Sequence, residues 1–328
     1  MEAVIIVVIL LSLVFDFLNG IHDSSNVVAS MISSRAFSPR IALGIAAIAN
    51  FLGPLLFGVA VAKTIGDEIV AAGTINMQVL IAALTGAIFW NLLTWYLGFP
   101  SSSSHALIGG FIGAVLVGAG WQSIKLHGLE KILIALFTSP LIGFLVGFVL
   151  LRLTLLLAWS ATPKVNTFFK RIQAVTALAL ALSHGTNDAQ KTMGIITLAL
   201  VTGGYLQAFS VPLWVILLCS TMMGLGTAVG GWRLIRTLGG KFYKIKPVDG
   251  FVSQLASAAV ILIASLVGGP VSTTQVVSSA IMGVGAAERA NKVRWGVAQE
   301  IVVAWVSTIP ATALVAAGIY WILIRLIP

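Results

Sequence analysis

Residues 20–26 read GIHDSSN, and residues 185–191 read GTNDAQK. The two heptapeptides share the positions of Gly and Asp, and each lies inside a long apolar stretch of the chain. Farther along, residues 100–105 read PSSSSH and residues 270–275 read PVSTTQ. The first pair of motifs is separated by 165 residues and the second pair by 170, so the same order recurs with a shift of five residues. The sequence therefore consists of two halves that follow one pattern.

The composition predicts that both halves lie in a lipid bilayer. Of the 328 residues, 59% are hydrophobic and only 9% are charged, whereas a soluble domain carries about 25% charged residues. A membrane-spanning helix needs about 20 mostly apolar residues. Ten stretches meet this requirement: 3–33, 41–62, 78–97, 101–120, 131–157, 172–202, 211–231, 251–268, 270–286 and 295–326. We interpret the first and sixth stretches as long segments that are interrupted at the repeated acidic motif.

Lysine and arginine residues are distributed unevenly among the predicted loops. Alternation through ten spans places fourteen of the 19 basic residues on one side of the bilayer, including those of the basic stretch 232–249, and four on the other side. Because cytoplasmic loops carry the excess of Lys and Arg, the sequence predicts that both termini are extracytoplasmic, together with Asp67 and Ser123. The net charge of +9 then reflects membrane topology rather than a nucleic-acid-binding surface.

An odd number of spans in each half determines the relation between the halves. With five spans per half, the second copy enters the membrane in the opposite orientation. We predict a first repeat over residues 1–158, a cytoplasmic linker over 159–171 and a second repeat over 172–328. Inverted repeats are typical of secondary transporters, in which discontinuous helices form the substrate site near the bilayer midplane. The predicted fold is an all-α polytopic membrane protein with about ten transmembrane segments in two inverted five-segment repeats, in which broken or re-entrant helices meet near midplane.

The first repeated motif places an acid inside each apolar segment, Asp23 in one half and Asp188 in the other. An ionisable residue at membrane depth is costly and usually has a functional partner. The neighbouring amides of Asn26 and Asn187 add oxygen atoms, and carboxylate and amide oxygens together are suitable ligands for a small cation such as Na⁺. The structural alternative is that each Asp caps a helix. Lys191 follows Asp188 by three residues, so it either pairs with that acid or contacts an anionic substrate.

The second repeated motif brings hydroxyl groups to two predicted helix starts. Pro100 and Pro270 are typical of a first helical turn, and hydroxyl residues follow each of them: Ser102, Ser103, Ser104, Ser272, Thr273 and Thr274. Free N–H groups and the helix dipole make such a terminus an anion site, and two that meet would surround a tetrahedral oxyanion. The alternative is that the hydroxyls only cap broken helices. His22, His105 and Gln275 are candidates for a proton or ligand role.

Several longer stretches resemble the inorganic phosphate transporter (PiT) family of phosphate symporters. Two resemble its duplicated Gly-x-Asn-Asp signature, and three resemble its flanking and hairpin motifs. In order, these stretches are GIHDSSNVVAS at 20–30, GTNDAQKTMG at 185–194, WNLLTWYLGFPSSSSHALIGG at 90–110, GGWRLIRTLGGK at 230–241 and GGPVSTTQVVSSAIMGVG at 268–285. The resemblance covers nearly the whole chain.

The resemblance implies an inverted-repeat homodimer in the plasma membrane that carries inorganic phosphate into the cell together with Na⁺ or H⁺. It implies cation binding by four residues of the acidic motifs and phosphate binding by the hydroxyls at 102–104 and 272–274. The four cation ligands are Asp23, Asn26, Asn187 and Asp188. Apart from the transported phosphate and its coupling ion, it implies no cofactor.

Three residues depart from the family pattern and leave the coupling ion open. His22 replaces an Asn of the eukaryotic signature, Gln275 stands where the second hairpin motif usually ends in His, and Gln254 occupies a position often held by Glu. Each change adds or removes a titratable group. Because the amide oxygens of Asn26 and Asn187 complete an oxygen cage with the carboxylates, we favour Na⁺ over H⁺. His184, like His22, is interpreted either as a proton relay or as hydrogen-bonded structure.

Other function classes fit the sequence less well. An intramembrane hydrolase would have to use Ser104 and His105, but adjacent residues cannot supply the aligned geometry of nucleophile and base. A passive anion channel does not need two carboxylates for a coupled cation. We therefore predict a transporter and not an enzyme. The alternatives that stay open are symport of another tetrahedral oxyanion, such as sulfate or arsenate, and proton-coupled uptake of a metal phosphate.

Overall fold

The structure is a computed structural model that describes residues 2–70, 73–99, 101–162, 164–231 and 245–326. Pro100 and residues 232–244 of the predicted basic loop lie outside the described residues. The described ranges contain these helices: α1 Glu2–Ser33, α2 Pro39–Phe57, α3 Ala60–Lys63, α4 Met77–Leu97, α5 Ser103–Gly118, α6 Leu126–Leu157, α7 Val165–Thr202, α8 Leu213–Val229, α9 Pro247–Leu266, α10 Thr273–Glu288 and α11 Trp295–Leu326. A π-helical turn, Thr64–Glu68, extends α3.

Each of the ten predicted apolar segments is helical, but the second one, 41–62, is divided into α2 and the short α3. Six of the described helices are long and apolar enough to cross a membrane, namely α1, α2, α4, α6, α9 and the part of α11 from Ile301 onward. Helix α7 has 38 residues and carries the second acidic motif. The chain is therefore a multi-pass, all-α membrane protein.

Packing between the helices repeats from one half of the chain to the other. Helix α2 packs along α7, and α8 packs along α1 in the same manner. Helix α11 packs on α5, as α6 packs on α10. Each half thus covers the acidic helix of the other half. Since α7 begins at Val165, the predicted linker 159–171 includes its first turns.

Both acidic helices run without a break through their motifs, and this corrects the expectation of interrupted segments. Asp23 lies within α1 and Asp188 within α7, so neither acid caps a helix. A continuous helix pairs its own backbone groups, and neighbouring helices cover the polar side chains of the motifs. All side chains from 22 to 31 and from 183 to 200 are buried. Polar residues in an apolar segment therefore marked burial here and not a helix end.

Glycine in each motif permits the close approach of the covering helix. A Cβ atom at Gly20 would lie 2.5 Å from the carbonyl oxygen of Met223 on α8. A Cβ atom at Gly185 would overlap the backbone of Asn50 on α2. These two glycines occupy equivalent positions in the sequence repeat. A larger residue at either position would push the covering helix away from the acidic motif.

Helices α5 and α10 begin inside the protein. Each has 16 residues and is therefore about 24 Å long, less than the ~30 Å of a bilayer core. The residues that start them, 101–104 and 271–274, are all buried. Helices α4 and α5 thus form one hairpin and α9 and α10 form a second, and the starts of α5 and α10 lie in the interior. Pro270 precedes the cap of α10 by two residues and does not occupy its first turn.

Candidate functional site

The three hydroxyl residues of each triplet, 102–104 at the start of α5 and 272–274 at the start of α10, have different roles. The side chain of Ser102 accepts a hydrogen bond from the backbone N–H of His105 at 3.1 Å, and Ser272 accepts one from the N–H of Gln275 at 3.3 Å. The first hydroxyl of each triplet is therefore a helix cap, as one of the two sequence interpretations proposed. A capping hydroxyl leaves the following two residues free to contact other groups.

The second hydroxyl of each triplet contacts an acid of the nearby motif. Ser103 donates to Oδ2 of Asp23 at 3.1 Å, and Thr273 donates to Oδ2 of Asp188 at 2.9 Å. These contacts are equivalent under the sequence repeat. The structure thereby brings both repeated motifs, the acids and the hydroxyls, into one buried cluster.

The third hydroxyl of each triplet crosses to a different partner. Ser104 accepts a hydrogen bond from Nζ of Lys191 at 2.6 Å and donates to the carbonyl of Val271 at 3.1 Å. Thr274 donates to Oδ1 of Asp23 at 2.9 Å. Asp23 therefore accepts hydrogen bonds from both hairpins, and the two tips are joined by these contacts.

Lys191 links α7 to both hairpins. Its ammonium group, which is 2% exposed, pairs with Asp188, donates to Ser104 and donates to the carbonyl oxygen of Val271 at 2.9 Å. The ion pair with Asp188 expected from their spacing is present. The same nitrogen atom lies between the starts of α5 and α10, where an anion would bind.

His184 joins the two acids. Its Nε2 atom lies 3.2 Å from Oδ2 of Asp188 and 3.9 Å from Oδ2 of Asp23, while its Nδ1 atom lies 3.1 Å from Oδ1 of Asn50. In the described part of the chain, Asp23, His184 and Asp188 form the one group of His, Cys, Asp and Glu side chains with the geometry to hold a metal ion, and their ligand atoms lie within 4.8 Å of one another. All three side chains are buried.

Comparison with known proteins identifies the family of the chain. The sequence profile of the phosphate transporter family matches residues 19–166 and again residues 156–316. The chain belongs to the phosphate transporter family. The profile matches the chain twice, and each match contains one acidic motif and one hydroxyl motif. Family membership assigns the chain to transport and not to enzymatic catalysis.

Relatives in this family cover almost the full chain. A protein of Bacillus subtilis (strain 168) named "Probable low-affinity inorganic phosphate transporter" is 47% identical over 97% of this chain and 96% of its own length. A protein of Rhizobium meliloti (strain 1021) with the same name is 47% identical over 95% of this chain and 94% of its own length. A solved structure titled "The sodium-dependent phosphate transporter" superposes with a TM-score of 0.92 and 26% identity, over 99% of this chain and all of that one.

The two amides that the sequence paired with the acids have unequal roles in this family member. Asn26 donates to Oδ1 of Asp23 and to Thr274, both at 2.9 Å, and its buried Oδ1 atom has no hydrogen-bond partner among the described residues. Asn187 donates to Ser265 at 2.9 Å and accepts from the N–H of Val271 at 3.2 Å. Its side chain therefore holds the connection between α9 and α10, whereas the oxygen of Asn26 is available to a ligand.

The remaining candidates lie around the cluster. Nδ1 of His22 is 3.2 Å from Oδ1 of Asp23, so this residue contacts the site directly. His105 and Gln275 contact each other at 2.8 Å across the two hairpins, and no contact between either of them and the acids is found in the described ranges. Gln254 accepts from Thr176 at 2.6 Å and donates from Nε2 at 2.8 Å to a serine of α1, so the position often held by Glu forms a neutral hydrogen-bond pair here.

Sequence reasoning did not find two polar residues of the interior. Asn50 orients His184 and donates to Thr227 at 2.8 Å, and Asp16 is fully buried on α1. Neither belongs to the repeated motifs, which supplied the signal for the other site residues. Both are polar residues in apolar segments, and that pattern alone would have drawn attention to them.

Proposed function

We propose that this protein imports inorganic phosphate across the plasma membrane by symport with Na⁺. The observation that supports the proposal most directly is the convergence of two helix starts on two buried acids. A helix N-terminus attracts an anion, while a carboxylate pair repels it unless a cation is present. A site that contains both elements is suited to load an anion and a cation together.

The anion would bind at the starts of α5 and α10. In the structure Ser103 and Thr273 donate to the acids, and a cation on those acids would release their hydroxyls toward phosphate. Ser104, Thr274 and the ammonium group of Lys191 complete the set of donors. Ser102 and Ser272, as caps, would contribute by fixing the backbone N–H groups of the first turn. The hydroxyl donors are neutral and the charge of Lys191 is shared with Asp188, so a strong salt bridge does not slow the release of phosphate.

The cation would bind at the acids. Asp23, Asp188 and the free oxygen of Asn26 supply hard oxygen ligands, and His184 lies against both acids. Asn187 would act through the hairpin connection that it holds. The superposition with a sodium-dependent phosphate transporter favours Na⁺ over H⁺. Two negative carboxylates beside a phosphate anion give the physical reason for coupling, since a bound cation reduces their repulsion of the phosphate.

The proposal includes a homodimer and extracytoplasmic termini. The uneven distribution of Lys and Arg supports the orientation. Single cysteines at Asp67 and Ser123, in a Cys219→Ala background, should react with an impermeant thiol reagent added to intact cells. Crosslinking of the purified protein in lipid would test the dimer. Protection of both positions from the reagent would contradict the proposed orientation.

Uptake by purified protein in liposomes tests the function. Labelled phosphate should accumulate when a Na⁺ gradient is imposed, and replacement of Na⁺ by choline should abolish accumulation. Unlabelled sulfate and arsenate, added in excess, measure the selectivity for the anion. Accumulation that persists in choline but collapses with a protonophore would assign the coupling to protons. Stronger competition by unlabelled sulfate than by unlabelled phosphate would identify sulfate as the substrate.

A further inference from the structure

A buried acid outside the phosphate site is left partly unpaired. Asp16 lies on α1 two turns before Asp23, about 10 Å away along the helix, and its exposed fraction is 0%. Oδ1 accepts a hydrogen bond from Thr192 of α7 at 3.1 Å. Oδ2 has no hydrogen-bond partner among the described residues. A carboxylate oxygen buried in a membrane protein without a partner requires compensation by another group or by a ligand.

Other unpaired polar atoms surround this acid. Ser12 and Asn19 precede and follow Asp16 by four and three residues, so they share its face of α1. Both are buried, and neither the hydroxyl of Ser12 nor either amide atom of Asn19 has a hydrogen-bond partner in the described ranges. On α8 the thiol of Cys219, a weak donor, lies within hydrogen-bonding reach of Asp16.

The nearest formal charges do not complete the pairing of Asp16. The nearby Lys191 is engaged by Asp188 and Ser104, so its charge is already shared with the phosphate site. Asp188, which lies on α7 with Lys191, adds a second negative charge. Cys219 on α8 is a neutral thiol. The unpaired atoms near Asp16 include hydroxyl, amide and carboxylate oxygens, which are the ligands that hard cations prefer.

We propose that Asp16 binds a monovalent cation of the size of Na⁺, with oxygen ligands from Ser12, Asn19 and Thr192. One carboxylate among neutral oxygens balances a single positive charge, whereas a divalent ion would leave a net charge at membrane depth. The site lies where α1, α7 and α8 pack together. It is distinct from the two-acid site, because its ligands do not include Asp23 or Asp188. The choice of Na⁺ rests on the proposed sodium symport.

The position of Thr192 suggests how this site acts. Thr192 directly follows Lys191, which joins α7 to both hairpins. A cation that binds Asp16 and Thr192 would fix the turn of α7 that carries Lys191 and Asp188. Binding at this first site would therefore prepare the second site for phosphate. Along α1, the order of the acids places Asp16 nearer to the N-terminal end than Asp23.

Direct binding of radioactive Na⁺ to the purified protein, in the absence of phosphate, tests the proposal. Asp16→Asn should lose one equivalent of bound Na⁺ relative to wild type at a Na⁺ concentration that saturates the wild type. Asp23→Asn should retain the equivalent that Asp16→Asn loses. Ser278→Ala is the matched control, because Ser278 is also a buried hydroxyl without a partner in the described part of the chain but lies on α10. It should bind as the wild type does.

A second variant covers the case in which Asp16→Asn does not fold. Asn19→Ala should weaken binding of the same equivalent at least tenfold while the other equivalent is unchanged. Equal Na⁺ equivalents in the wild type and Asp16→Asn would overturn the proposal, as would unchanged affinity in Asn19→Ala. If phosphate uptake proves independent of Na⁺ but Asp16→Asn still loses an equivalent, the proposed function fails and this site stands. If uptake is driven by Na⁺ but Asp16→Asn binds as many equivalents of Na⁺ as the wild type, the proposed function stands and the Asp16 site fails.

Discussion

The two acidic motifs occupy equivalent positions in the sequence repeat, yet their carboxylates have different partners. Asp188 forms an ion pair with Lys191. The residue equivalent to Lys191 in the first motif is Asn26, whose neutral amide donates a hydrogen bond to Asp23. Asp23 accepts its other hydrogen bonds from two hydroxyls, one on each hairpin. The charge of Asp188 is therefore compensated within the protein, while that of Asp23 depends mainly on neutral donors and on His22 and His184. A coupling cation gains most at Asp23.

The largest expected effect follows from the loss of either acid. Asp23→Asn and Asp188→Asn should each abolish gradient-driven phosphate uptake, because both acids belong to the proposed cation site. Uptake into liposomes under a Na⁺ gradient measures this effect, with gel filtration as the control for folding. Either variant with wild-type accumulation would remove that acid from the coupling mechanism.

The same two variants should differ in stability. Asp188→Asn leaves the buried ammonium group of Lys191 without its counter-ion, and breaking a buried pair in this way costs about 3–5 kcal/mol. Asp23→Asn removes a charge that has neutral partners and should cost far less. Thermal unfolding in detergent measures the difference. The double variant Asp188→Asn with Lys191→Met should recover most of the stability and no transport. Equal losses of stability in the two single variants would show that the different partners of Asp23 and Asp188 do not change their contributions to stability.

The repeat in the sequence identified most of the site because polar residues stand out in an apolar chain. It located Asp23, Asp188 and both hydroxyl triplets, and the structure places them in one cluster. It did not show that α1 and α7 are continuous, since covering helices from the other half supply the partners that a break would otherwise have supplied. The division of roles within the triplets, with Ser102 and Ser272 as caps, depends on the orientation of each hairpin tip. Motif spacing does not determine that orientation.

Asp16 shows a second limit of prediction from the sequence repeat. Its proposed role follows from its own unpaired oxygen, from those of Ser12 and Asn19, and from its contact with Thr192 on α7. A repeat search does not detect it, because the equivalent position in the second half is Ala181. Tertiary packing, rather than local sequence, determines whether a buried acid has partners.

A smaller effect is expected at the second hydroxyl of each triplet. Ser103→Ala and Thr273→Ala each remove one donor from the proposed phosphate site, and an unsatisfied buried partner costs about 1–3 kcal/mol. This corresponds to roughly a 5- to 150-fold weaker binding of phosphate. Calorimetric titration with phosphate at saturating Na⁺ measures it, with Ser278→Ala as the control. The two variants should be affected to a similar extent, because their contacts with the acids are equivalent. Wild-type affinity in both would place the anion elsewhere.

The smallest effect is expected where the two hairpins touch each other without touching the acids. Gln275→Ala removes the contact with His105, a neutral hydrogen bond with a net contribution of about 0.5–1.5 kcal/mol. It should therefore lower the unfolding temperature slightly and leave phosphate affinity close to that of the wild type. Gln275→His, which restores the residue type of the first hairpin, can renew the contact and should recover the loss. Thermal unfolding and phosphate titration on the same samples separate the two effects. If Gln275→Ala abolished phosphate binding while the protein stayed folded, the contact between the hairpins would belong to the binding site.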